Sequence, residues 1–304
     1  VIPAYWSVGL PAYLWQAALH SAILGLIFYI WTHRVRLPSG RTKRRLLAIL
    51  LVLPLVTAAM PGRRSLEFRD RVAWFDSARL LATPLAGGIR LYHVVLVIAV
   101  MMVAITVWQE LVPVLRRLPA SASRVPDRLA RLARALPGWD RCEVLISPDC
   151  DVLLATSGWP QRPRVIVSEG ALARLDDRQL SAVVAHEHAH WCHGRWLRSY
   201  ALFAARLIQI ANPVALWAFR EYCVEIEVVC DAEATAGRDP RLLAGTLLTL
   251  YGLTDRSDVA ARSTLRKRVD VLLEPGRGVD DEALPAATIA AAAVAMLMVL
   301  PWIV

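Results

Sequence analysis

The sequence predicts a mainly α membrane protein, with about four transmembrane helices joined to a soluble α+β domain that contains a small β-sheet. Three observations carry that prediction. The 304 residues are 56% hydrophobic with a mean hydropathy of +0.43, above the apolar share of a soluble globule. Four apolar runs approach the roughly 20 helical residues needed to cross a hydrocarbon core about 30 Å thick. Charged residues still make up 20% of the chain, so the apolar excess is concentrated in segments and a polar stretch is left to fold in water.

The first apolar run covers about residues 10–31, with Trp15 and Trp31 placed like interfacial anchors. No basic start, short apolar core and A-x-A site precede it, so it is expected to be a retained anchor. The second run, 46–60, is short and contains Pro54; the third covers 91–108; the fourth, from Ala286, ends the sequence at Val304. The chain therefore divides into a transmembrane region over 1–115, a soluble domain over 116–283 and a C-terminal transmembrane helix over 284–304. Between the first two runs, Arg34, Arg36, Arg41, Lys43, Arg44 and Arg45 stand without an acidic residue among them. By the positive-inside rule that loop is cytoplasmic, and so is the soluble domain. The net charge of +9 is thus expected to meet anionic lipid, and no direct nucleic-acid binding is expected. The five cysteines show no C-x-x-C spacing, which excludes a disulfide framework or a cysteine-only metal site.

Within the soluble domain, 119–134 is a basic amphipathic segment broken by Gly138-Trp139. Glu143–Ser147, Val152–Thr156 and Arg164–Ser168 read as short strands between turn residues. The strand Arg164-Val165-Ile166-Val167 is expected to offer a sheet edge to an extended substrate. Asp176 or Asp177 caps the next helix, with Gln179 three residues after Asp176 as in a capping box. The segment 197–210 reads as an amphipathic or partly buried helix that stops at Asn212-Pro213; helices over 214–235 and within 241–271 follow.

The capped helix carries His186-Glu187-His188-Ala189-His190. Four residues apart on a helix, His186 and His190 lie one turn plus about 40° apart, so both imidazoles can converge on one tetrahedral Zn2+ per chain. Glu187, rotated by about 100°, can reach the attacking water without ligating and is the expected general base. A catalytic zinc site keeps three protein ligands and an open position. Glu227 is the best third ligand, because Asp231 lies on the same helical face and can fix the second nitrogen of a ligand histidine. Glu225 and Glu233 are competitors off that face. His188 and His193 fall outside the ligand face, and His20 and His93 are expected to be hydrogen-bonded residues of the spans. The chemistry so implied is peptide-bond hydrolysis by a zincin-like domain.

These residues resemble the membrane gluzincins, and among them the BlaR/MecR-type antibiotic-sensor metallopeptidases, related to the heat-shock and prenyl-protein membrane zinc proteases. The likeness extends beyond the zinc motif to Asn212-Pro213, Trp217, the run Glu227-Val-Val-Cys230-Asp231-Ala-Glu-Ala, the stretch from Arg164 to Leu172 and the basic Leu265–Val269. The resemblance implies zinc on His186, His190 and Glu227, Glu187 as base and Asp231 behind the ligands. It also implies a cytoplasmic protease that cleaves a DNA-binding repressor of the BlaI type, or itself, when an outside signal arrives. The sequence ends without the extracellular penicillin-binding domain of the full receptors, so direct β-lactam sensing is not implied. A membrane-protein quality-control protease and a non-catalytic zinc-binding signal transducer are the alternative functions; Glu187 speaks against the second.

Overall fold

A computed structural model of the chain describes residues 4–35, 39–59, 82–108, 126–134, 136–139, 142–148, 154–159, 162–192, 195–252 and 259–274. The structure is mostly helical with two small sheets. In chain order it contains α1 (Ala4–Val35), α2 (Arg41–Ala59), β1 (Pro84–Ala86), β2 (Ile89–Arg90), α3 (Leu91–Thr106) and α4 (Asp127–Ala133). Then come β3 (Glu143–Ser147), β4 (Leu154–Trp159), β5 (Arg162–Ser168), α5 (Glu169–Arg174), α6 (Asp177–Cys192), α7 (Arg195–Ile208), α8 (Pro213–Ala234), α9 (Pro240–Gly252) and α10 (Val259–Leu273).

Among the described residues one helix is long and apolar enough to cross a membrane, Tyr13–Thr32 within α1. Four transmembrane helices are therefore not shown. The reason is length: basic residues occupy the first turn of α2, leaving 46–59 as its apolar part, about 21 Å at 1.5 Å per residue. The apolar α3 reaches about 24 Å, also short of a hydrocarbon core of about 30 Å. The expected span over 284–304 lies outside the described residues, as does the basic segment before α4.

The α1–α2 pair packs against α8 and α7 through Leu24, Phe28, Leu47, Leu51, Leu202, Ala215, Ala218 and Ile226. In a lipid setting such contacts are stabilised by close packing and hydrogen bonds, since lipid tails are as apolar as leucine. Gly25 provides the close approach, because a Cβ there would stand 2.7 Å from Val214 Cγ1. At the end of this helix pair the turn between α1 and α2 is tied to α8. Glu225, fully buried, accepts from the Gly40 amide at 2.7 Å and from Ser39 Oγ at 3.3 Å. The same carboxylate pairs with Lys43 Nζ at 3.1 Å and Lys267 Nζ at 2.9 Å.

In the three-stranded sheet the order is β3-β5-β4, with β5 parallel to β3 and antiparallel to β4. This corrects the reading of Arg164, Val165, Ile166 and Val167 as a sheet edge. Their backbone is bonded on both sides, Val165 pairing with Val144 and with Thr156. The physical reason is visible in the residues: an uninterrupted run of β-branched side chains, all buried here, suits an inner strand covered on both faces. Leu129, Leu175, Leu180 and Val184 complete that core beneath α6.

Candidate metal centre

The start of α6 is set by the capping box foreseen from Asp176 and Gln179. Asp176 Oδ1 accepts from the Gln179 amide at 2.7 Å, and Gln179 Oε1 accepts from the Asp176 amide at 3.1 Å. Leu180, Val183 and Val184 anchor the helix in the sheet core and leave His186 and His190 on the face toward α8. On α8, Asn212 caps the first turn by accepting from the Val214 and Ala215 amides, with Pro213 at the first helical position. The helix then runs long enough to bring Glu227 and Asp231 beside the histidines.

His186 Nε2 and His190 Nε2 stand 3.1 Å apart. Glu227 Oε2 lies 3.3 Å from His186 Nε2, and Glu227 Oε1 lies 3.4 Å from His190 Nε2. Ligands bound at about 2.0–2.1 Å around a tetrahedral ion are themselves about 3.3–3.4 Å apart. Each histidine nitrogen thus has a Glu227 oxygen at the spacing of ligands around one ion, and among the described residues the three side chains form the cluster suited to holding a metal, one donor atom from each lying within 4.8 Å of the others. Behind them, His186 Nδ1 lies 2.9 Å from Asp231 Oδ1, an ion-pair contact rather than an aligned hydrogen bond. Glu187 is buried on α6 beside His186.

Arg268, on α10, closes the site and was not singled out by sequence reasoning. It is 5% exposed; its Nε and Nη2 donate to Asp231 Oδ2 and Oδ1, both at 2.7 Å, and its Nη1 lies 3.0 Å from Glu227 Oε2. One guanidinium therefore holds both carboxylates at once, a fork geometry that lysine cannot supply. The signal available in the sequence was the basic run Leu265–Val269, which does not say which cation turns inward. Arg266, two residues away and about 200° around the helix, is exposed and pairs with Asp270.

The electrostatics follow from this geometry. Burial opposes the charged form of His186, but Asp231 and Glu227 outweigh it and push its pKa up to about 10 in the metal-free protein. Burial would raise the Glu227 carboxyl, yet the two histidines outweigh that effect and hold it well below the usual carboxylate range. The competitors for the third ligand are engaged elsewhere: Glu225 in the turn described above, Glu233 with Arg41 at 3.4 Å. His188 points away, its Nε2 2.8 Å from the Pro137 carbonyl, and His20 Nδ1 is 2.8 Å from Thr57 Oγ1. A cleft of about 290 Å³ on that outer face of α6, lined by Leu136, His188, Cys192, Glu233 and Arg238, contains none of the three metal donors.

A family model described as BlaR1 peptidase M56 matches residues 12–272. The chain belongs to that family. No curated protein sequence matches it. As an M56 family member it is a membrane-associated metallopeptidase, and His186, His190 and Glu227 form a site that could hold the metal. The matched region runs from α1 to the end of α10, so the helices that carry the ligands, the apolar α1 and the Arg268 helix all fall within it.

Proposed function

We propose that this chain is a multi-pass zinc endopeptidase of the gluzincin type, with its catalytic domain facing the cytoplasm. His186, His190 and Glu227 hold one Zn2+, Glu187 is the general base, and Asp231 with Arg268 positions the ligands. The reading is carried by two histidine nitrogens 3.1 Å apart, each with an oxygen of the Glu227 carboxylate 3.3 or 3.4 Å away, so that three side chains converge where one ion could be held. A zinc ion held there supplies Lewis acidity toward the scissile carbonyl and the attacking water. Glu187 takes the proton of that water and passes it to the leaving amine. Asp231, 2.9 Å from His186 Nδ1, holds that ring with Nε2 toward the other metal donors, and Arg268 holds Asp231 in place. An extended peptide would pair along an outer strand, β3 or β4, because β5 is filled on both sides.

The proposed substrate is a cytoplasmic protein, a DNA-binding repressor of the BlaI type. Purified protein in detergent, supplied with zinc and such a repressor, tests the reading directly. Glu187→Gln should retain one zinc per chain by elemental analysis while cleavage falls by about 10²- to 10⁴-fold. Undiminished cleavage by that variant would reject the mechanism. Equal cutting of casein and the repressor would replace the signalling role with general quality control.

A further inference from the structure

The donor helices α6 and α8 are joined through α7, and α7 with the start of α8 forms a hairpin whose tip has a polarity inverted relative to a water-soluble hairpin. Between 201 and 217 its polar side chains, Arg206, Gln209 and Asn212, face inward. Gln209 Oε1 accepts from Ser21 Oγ at 2.9 Å and from Asn212 Nδ2 at 3.2 Å, and Gln209 Nε2 donates to the Leu51 carbonyl at 2.8 Å. Arg206, 6% exposed, lies over the rings of Phe203 and Phe219 at 5.6 and 5.3 Å. The exposed positions between 201 and 217 are Ala201, Ala204, Ile208, Ala211, Pro213 and Trp217. None of them carries a charge or an aliphatic polar group, and Ile208 and Trp217 are 49% and 39% open.

This outward face belongs to a hairpin packed on α1 and α2, which themselves expose Leu26, Ile27 and Ile30, and Val52 and Val56. Its depth is fixed by the Ser21 bond, since Ser21 lies within two residues, or about 3 Å, of the centre of the span Tyr13–Thr32. Polar side chains bonded to one another inside and apolar ones outside are what a hydrocarbon solvent requires of an element at that depth.

We infer that the α7–α8 hairpin enters the bilayer to its midplane from the side of the metal centre, with its Ala204–Ile208–Ala211–Trp217 face against lipid acyl chains. From Asn212 to Glu227 the helix rises about 15 residues, or about 22 Å. Half a hydrocarbon core is about 15 Å. The metal centre consequently stands at the level of the lipid headgroups, about 7 Å beyond the hydrocarbon, and a scissile bond must be presented at the membrane surface. The inference takes α1 as a membrane span and is independent of the reaction at the metal centre.

The test places a photoreactive benzophenone amino acid at position 208, and separately at 217, in the full chain reconstituted into phosphatidylcholine/phosphatidylglycerol vesicles. Arg266, exposed on α10 and outside the site, is the control position. After irradiation, mass spectrometry should find acyl-chain adducts at 208 and 217 and none at 266. Three outcomes overturn the inference: no lipid adduct at 208 and 217, adducts there to a second copy of the chain, or lipid adducts in equal yield at 266. None of these readings uses catalytic activity, so failure of the inference and failure of the proposed reaction are separate results.

Discussion

At the level of single residues, the site is a balance of buried charge. Asp231 and Glu227 share one guanidinium, and removing one member of such a buried pair destabilises by about 3–5 kcal/mol because the other charge is left unpaired. Arg268→Gln should therefore weaken metal binding by about 10- to 100-fold. Arg268→Lys should recover part of that loss, since a single ammonium can meet one carboxylate but cannot bridge two. Competition against a chelator measures both. The raised His186 pKa gives a second expectation. Metal must displace a proton that the metal-free site retains up to about pH 10, whereas an ordinary histidine would already be neutral near pH 7. Metal affinity should keep rising between pH 7 and 9, by about tenfold per unit, in the same chelator competition. A plateau above pH 7 would show that His186 is not held protonated. At this scale the sequence was informative where chemistry is tied to spacing: the four-residue intervals 186–190 and 227–231 were enough to name His186, His190, Glu227 and Asp231. Arg268 was hidden because three consecutive cations occupy α10, and only the packing of that helix chooses among them.

At the level of elements, α8 serves two sites from two faces. Glu225 and Glu227 are about 200° apart around the helix, so one meets the α1–α2 turn and the other the histidines. Glu225→Ala would leave the Gly40 amide without that acceptor and remove a shared carboxylate from Lys43 and Lys267. The expected loss is about 3–5 kcal/mol, read as earlier thermal unfolding in detergent, with metal stoichiometry retained below the transition. Capping was legible here, since the Asp176–Gln179 box and the Asn212-Pro213 start are local and do not depend on the rest of the fold. Strand position was not. An apolar run such as Val165-Ile166-Val167 announces a strand, but whether it lies at the edge or in the middle depends on which neighbours return to pair with it, and that is a property of long-range topology.

For the molecule as a whole, the hydrogen bond from the Gly40 amide to Glu225 places the α1–α2 turn beside the ligand helix. In the proposed topology the basic turn and the metal centre share the cytoplasmic side of the membrane. Arg45→Cys and Arg266→Cys, both at exposed positions, should resist an impermeant maleimide in intact cells and react after permeabilisation; reaction of either in intact cells would reverse the orientation. The spans were only partly legible, because apolar length alone cannot distinguish a crossing helix from one that enters and returns. Segment 197–210 was ambiguous for that reason, and the entry inferred for it rests on where Arg206, Gln209 and Ile208 point. A last consequence belongs to α10. Its neighbours Lys267 and Arg268 grip the α1–α2 corner through Glu225 and the metal donors through Glu227, so one short rod takes part in both holds. The corner of the first two helices and the carboxylate of Glu227 are thereby held by adjacent residues of a single helix.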